Sequence, residues 1–139
     1  FFWSAKRKID FVCAASDRLE VERPNSKLVM EYENYMGRQQ ELWNWSVRLD
    51  EHLMEDLMHH RMYCFNSARA LIRVMRNKSS HYYDLDPMVR EALGEYPDKF
   101  YAYFDSRFPS LFICTYEFIR CTCASEPALR PYFVDILYD

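Results

Sequence analysis

Glycine is nearly missing from this chain: Gly37 and Gly94 are the two glycines among 139 residues. Sheets and hairpins rely on glycine for turns that need positive φ, so this scarcity argues for helices joined by short loops. Six well-spaced prolines agree with that. No apolar run approaches the ~20 residues of a membrane span, and no signal peptide is visible. The five cysteines (Cys13, Cys64, Cys114, Cys121, Cys123) are odd in number and lack framework spacing. They read as reduced thiols of a cytosolic protein. A net charge of −3 excludes a molecule that binds polyanions over its whole surface. What is abundant is apolar surface: 50% of residues are hydrophobic and 17% aromatic, too apolar for a disordered chain. The length suits one domain with a real core.

The order of elements follows from caps and apolar spacing. Ser4 caps a helix through "FFWSAKRKIDFVCAASDRLE", with Ala5, Ile9, Val12 and Leu19 on one face. Ser26 caps a second helix over about Lys27 to Met36, closed by Gly37. Trp43 and Trp45 open a third helical stretch, with Leu49, Leu53 and Leu57 spaced by four. Asn66 or Ser67 caps "ARALIRVMRNK", whose core stripe is Ala68, Leu71, Ile72 and Met75. A loop from Ser79 to Asp86 is expected next. Asp86-Pro87 then opens a short helix ending at Gly94. Helices from Asp98 and Pro109 follow, and the segment after Ala124, with Pro127 and Pro131, reads as irregular. The fold class is all-α, a single compact domain of about six to eight helices.

A second absence is local. From Leu57 to Tyr83 there is no Asp or Glu, while Arg61, Arg69, Arg73, Arg76 and Lys78 accompany His59, His60 and His81. Arg69, Arg73 and Arg76 form a basic stripe on one helix. An acidic protein that clears carboxylates from 27 residues either presents them to an anion or carries a plain solvated face. Cations near a helix C-terminus also need no ligand, since the helix dipole favours them. Charge alone leaves these readings open.

The residue types sharpen the anion reading. Tyr63, Arg76, Asn77 and His81, if they converge, can cleave RNA without a metal. RNA supplies its own nucleophile, the 2′-hydroxyl; the protein must supply a base, an acid and donors for the extra phosphate charge. Histidine, with an unperturbed pKa of about 6.5, suits the acid role. Tyrosine is a poor base unless cations stabilise its phenolate. Arginine and asparagine suit the phosphate. A magnesium mechanism would want clustered carboxylates.

The run "ARALIRVMRNKSSHYYDL…VREALGEYPDKFYAYFDSRFPSLFICTY", with "SDRLE" and "WNWSVRLDEHLMEDLMHHRMYCFNS" before it, resembles the kinase-extension nuclease (KEN) family. That family comprises the inositol-requiring enzyme one sensors of the unfolded-protein response and ribonuclease L; "RNK…HY" and "SRFP" look more like the sensors. The resemblance spans about residues 1 to 133 and is weakest from Pro24 to Gln40. It implies that 1–3 are the end of a protein kinase domain, 4–133 the ribonuclease domain and 134–139 a C-terminal tail. It also implies a metal-independent endoribonuclease that cuts RNA stem-loops to a 2′,3′-cyclic phosphate, in RNA splicing or mRNA decay. Tyr63 would be the general base and His81 the general acid, while Arg76 and Asn77 hold the scissile phosphate. Arg69, Arg73, Lys78 and Tyr82 are the expected RNA-binding residues, and no metal is expected. No cofactor belongs to this chain; nucleotide would sit on the preceding kinase domain. The expected partners are the RNA stem-loop, a second copy in a homodimer or higher oligomer, and that kinase domain. The expected location is the cytosol, or the cytosolic face of the endoplasmic reticulum if the domain is membrane-tethered.

Departures from the family pattern are Ser79 and Ser80, where relatives often carry basic or larger polar residues, and Cys64-Phe65-Asn66, where some have a glycine turn. The Ser79-Ser80 loop and the missing kinase domain motivate a competing reading, an RNA-binding or dimerisation module with weak or lost catalysis. A pure helical scaffold would leave the carboxylate-free segment unexplained. His59 and His60 point about 100° apart on a helix and make a poor zinc pair, even with Cys64; Cys121-x-Cys123 lacks zinc-knuckle spacing. Phe100, Tyr101, Tyr103, Phe104 and Phe108 read as packing. Tyr82 and Tyr83 are the better base-stacking candidates, with core packing slightly ahead.

Overall fold

The computed structural model describes residues 1–60 and 62–138, with side chains for all of these except 60 and 135–138. Arg61, the His60 side chain and most of the expected tail therefore lie outside the described side chains. Eight α-helices and no strand occur among the described residues.

The first helix, α1 (Ala5–Glu20), is the spine. Ser4 Oγ accepts the Arg7 N–H, satisfying one of the helix's unpaired first-turn donors. Ile9, Val12, Ala15 and Leu19 are fully buried, so its apolar face is wrapped by other elements. It packs on α4 (Ala68–Ser80), α6 (Asp98–Arg107) and α7 (Leu111–Thr122). Phe11 gathers Trp3, Phe112, Tyr116, Tyr132 and Phe133 edge-on or tilted around it, at ring separations of 5.3–5.9 Å. Such aromatic clustering holds the two ends of the chain together. The second helix, α2 (Lys27–Met36), starts at Ser26 as expected and lies against α4 and α7.

Three segments differ from the sequence expectation. The stretch opened by Trp43 and Trp45 is not one helix. It is two 3-10 turns, Gln40–Leu42 and Trp45–Arg48, ahead of α3 (Glu51–His60). Asn44, at φ 48° and ψ 52°, reverses the backbone between those turns. Trp45 is fully buried and donates its indole N–H to the Ser67 carbonyl, so tertiary packing overrides the four-residue spacing. The expected loop from Ser79 is shorter than read. Helix α4 continues through Ser80, and a 3-10 turn, Tyr82–Asp84, leads to α5 (Pro87–Leu93). The segment after Ala124 is not wholly irregular: Pro131 opens α8 (Pro131–Tyr138). Proline at a first helical position loses no hydrogen bond.

The starts at Pro87 and Asp98 behave as read, while α7 begins at Leu111, two residues after the expected Pro109. Asp86 caps α5 by accepting the Met88 N–H. Gly94, at φ 88°, closes α5, and a Cβ there would sit 2.7 Å from the Lys99 Cβ. No other residue fits that position without strain. Phe100, Tyr101, Tyr103, Phe104 and Phe108 are all buried, as packing residues should be.

Candidate active site

The site is built at the C-terminal end of α4, and the N-terminal end of that helix explains its position. Ser67 Oγ accepts the Ala70 N–H at 3.0 Å, and the Glu33 carboxylate of α2 accepts the Arg69 N–H at 3.1 Å. Two first-turn donors are thereby satisfied, which pins the helix start. Leu71, Ile72, Val74 and Met75 bury its apolar face.

The basic stripe faces α1. The Arg69 guanidinium donates to the carbonyls of Leu19 and Glu22 at 2.9 and 2.7 Å, capping the C-terminal end of α1. Its Nε lies 2.9 Å from Glu20 Oε2, an ion pair whose N–H is not aligned for a hydrogen bond. Arg73 donates to Glu20 Oε1 at 2.8 Å. Arg76 donates through Nε to Asp17 at 2.9 Å and through its terminal nitrogen to Asn77 Oδ1 at 3.3 Å. The Lys78 ammonium is in contact with Asp56 of α3, and both side chains are nearly buried, at 10% and 13% exposure. The carboxylates absent from 57–83 are therefore supplied by α1 and α3.

Tyr63 sits on the segment between α3 and α4. That segment is tied to the Asn44 turn: Trp45 N–H donates to the Phe65 carbonyl, and Asn44 N–H to Asn66 Oδ1. The Trp45 ring stands edge-on to Tyr63 at 6.3 Å, and the Arg73 guanidinium lies 5.0 Å from the Tyr63 ring centre. The Tyr63 hydroxyl accepts a long hydrogen bond from Asn77 Nδ2 at 3.4 Å. His81 is exposed, and its own N–H closes α4 by donating to the Asn77 carbonyl at 3.1 Å.

These parts surround one open pocket of about 630 Å³, lined by Tyr63, Arg76, Asn77, Lys78 and His81 together with Asp56, Asp84, Leu85 and Asp86. All four residues read as catalytic share this pocket. The expected RNA contacts divide. Lys78 is in the pocket wall, held by Asp56. Arg73 reaches it only through the Tyr63 ring. Arg69 does not reach it: its donors are engaged at the end of α1. Tyr82 is buried, and its hydroxyl donates to the Gly94 carbonyl at 2.6 Å, so it braces the turn. Ser79 turns away from the pocket and bonds the Tyr96 hydroxyl at 2.8 Å.

Sequence reasoning missed Asp17, Glu20 and Asp56. A signal for the first two exists: Asp17 and Glu20 are i, i+3 on α1, matching the spacing of the arginines on α4. Nothing local marks Asp56, which reaches Lys78 across 22 positions. No cluster of three or more His, Cys, Asp or Glu suited to a metal ion occurs among the described residues.

The model of the family described as Ribonuclease 2-5A matches residues 8–133. The chain is 40% identical over 133 residues to the serine/threonine-protein kinase/endoribonuclease IRE2 of Homo sapiens, covering 96% of this chain and 14% of that protein. It is 38% identical over 138 residues to the serine/threonine-protein kinase/endoribonuclease IRE1 of Oryza sativa, covering 96% and 15%. It is 35% identical over 137 residues to the sensor for unfolded proteins in the ER, ire1, of Schizosaccharomyces pombe, covering 94% and 12%. The chain thus spans about a seventh of the length of these relatives. With a family model matched over nearly its whole length and an all-helical fold to carry it, the chain belongs to the ribonuclease 2-5A family.

Proposed function

We propose that the protein is a metal-independent endoribonuclease that cuts RNA stem-loops by attack of a 2′-hydroxyl on the adjacent phosphate. The observation that carries this is the shared pocket of Tyr63, Arg76, Asn77 and His81 at the end of α4. In this mechanism Tyr63 takes the 2′-hydroxyl proton, with Arg73 bringing positive charge to its ring. The 2′-oxygen bonds to phosphorus, and the bond from phosphorus to the 5′-oxygen breaks. His81 gives that leaving oxygen its proton, leaving a 2′,3′-cyclic phosphate and a 5′-hydroxyl. Arg76 and Asn77 donate to the phosphate oxygens as charge builds there. The pocket's donor set suits this better than it suits a divalent ion, because Asp56 is held by Lys78 and Asp86 caps α5.

Self-association belongs to the same proposal, as do an attached kinase domain and a place at the cytosolic face of the endoplasmic reticulum. The relatives' names support the last two, pairing kinase with endoribonuclease and naming an ER sensor. No helix among the described residues is long and apolar enough to cross a membrane. The test is a labelled RNA stem-loop incubated with the chain in EDTA at several protein concentrations. Cyclic-phosphate ends that rise more steeply than the protein concentration are the expected result; intact RNA at every concentration counts against it.

A second reading has its own support. Arg76 and Lys78 already hold carboxylates, Asp17 and Asp56. A chain whose phosphate donors stay so engaged would bind RNA weakly and not cut it. Salt-sensitive binding without product would mark that case.

A further inference from the structure

We propose that the groove on the far side of the 81–84 turn is a second RNA subsite, taking one unpaired base next to the cutting pocket. The inference deepens the ribonuclease reading and rests on it for the identity of the ligand.

The groove measures about 660 Å³ and runs between α5 and α6. Tyr82 and Tyr96 form its back wall. Their rings lie 5.4 Å apart at 31°, and Tyr82 is locked by its bond to Gly94. Tyr83 stands edge-on to Tyr82 at 5.2 Å, with 76% of its surface exposed. A large aromatic ring held by one neighbour and open on the other side is a stacking platform.

Charge points the same way. Every basic residue described on α4 holds an internal carboxylate. Arg90 and Lys99, which line this groove, form no ion pair among the described residues. They are therefore free to meet phosphate. Glu91 and Glu95 line the same groove. Carboxylates accept hydrogen bonds from exocyclic amino groups, whereas uracil offers them a single N3–H flanked by two carbonyls that repel them. The pocket and the groove flank one turn: His81 and Asp84 line the first, Tyr82 and Tyr83 the second. Two residues of chain span at most about 7 Å, so a strand entering the pocket at His81 reaches Tyr83 without a long detour. In the proposed subsite the base stacks on Tyr83, its amino edge faces Glu91 or Glu95, and the neighbouring backbone meets Arg90 and Lys99.

The test is binding, so that it stands apart from cleavage. A fluorescent stem-loop of 2′-O-methyl RNA lacks the nucleophile and cannot be cut; its affinity is read by anisotropy for the 139-residue chain and its variants. Tyr83→Ala should weaken binding about tenfold, and Tyr83→Phe should restore it. Arg90→Gln with Lys99→Gln should flatten the dependence of log affinity on log salt by about 0.7 per lost phosphate contact. Loops of cytosine should bind more tightly than loops of uracil. Circular dichroism checks that the variants are folded. Tyr83→Ala binding within twofold of the parent overturns the subsite, even if the parent cuts RNA. Loss of affinity in Tyr83→Ala without any cutting by the parent sustains the subsite and overturns the ribonuclease reading. A parent that does not bind at low salt overturns both.

Discussion

The two ends of α4 carry the same kinds of residue in opposite situations. At the N-terminal end, Arg69 meets Glu20 and two backbone carbonyls, and its side chain is only 15% exposed. At the C-terminal end, Asn77 and His81 face an open pocket, and Arg76 remains 38% exposed beside Asp17. The first arrangement clamps one helix to another; the second leaves hydrogen-bond donors turned toward solvent. A stripe of arginines thus has no single meaning. What decides its role is whether the facing helix brings carboxylates, and α1 brings them opposite the first two turns of α4 more completely than opposite the last.

The contrast can be broken by mutation. The largest effect belongs to His81→Ala: cleavage should fall by about 10²–10⁴-fold, the usual contribution of a positioned acid. Its exposed side chain makes no hydrogen bond among the described residues, so urea denaturation should be unchanged. Asn77→Ala should slow cleavage about a hundredfold, as removal of a charge-stabilising donor does elsewhere. Single-turnover rates at saturating protein would show it as a loss in the chemical step. Arg69→Ala should do the reverse. Loss of its bonds to α1 should lower stability by about 2 kcal/mol or more, with cleavage unchanged at temperatures where the variant is folded.

A smaller effect tests the same packing at the α1–α4 seam. Burial pushes the Cys13 thiol up to about 11, and its bond to Ser79 of α4 offsets this only in part. The unfolded thiol titrates near 8.5. The folded protein therefore holds the proton more tightly. This contribution to stability is complete below about pH 8.5 and is lost as pH rises through about 11. Burial raises other groups in the same direction, Cys114 and Tyr103 among them. Denaturation midpoints should fall from pH 9 to 11, and Cys13→Ala should shed about 1–2 kcal/mol of that fall.

Much of this was legible in the chain. Caps at Ser4, Ser26, Ser67 and Asp86 act locally, so the starts of four helices could be read directly. The four pocket residues were legible through the resemblance and the chemistry of their types. The rest depended on partners distant in sequence. Trp45 breaks its helix because Ser67 and Phe65 hold it from 22 and 20 positions away. Arg69 stays out of the pocket because Leu19, Glu20 and Glu22 close around it. Tyr82 and Tyr83 are identical in type and adjacent; the Gly94 carbonyl and the Tyr96 and Phe100 rings, met by the first, separate brace from platform.

The most direct measurement compares Arg69→Ala with Asn77→Ala, each assayed for unfolding in urea and for cleavage of one RNA stem-loop in EDTA. The predicted result is a crossing. Arg69→Ala loses stability and keeps its cleavage rate, while Asn77→Ala gives up two long hydrogen bonds, loses much less stability than Arg69→Ala, and loses about two orders of magnitude in rate. If Asn77→Ala cuts as fast as the parent, or Arg69→Ala loses cleavage while fully folded, the division of α4 into a clamp and a site is wrong.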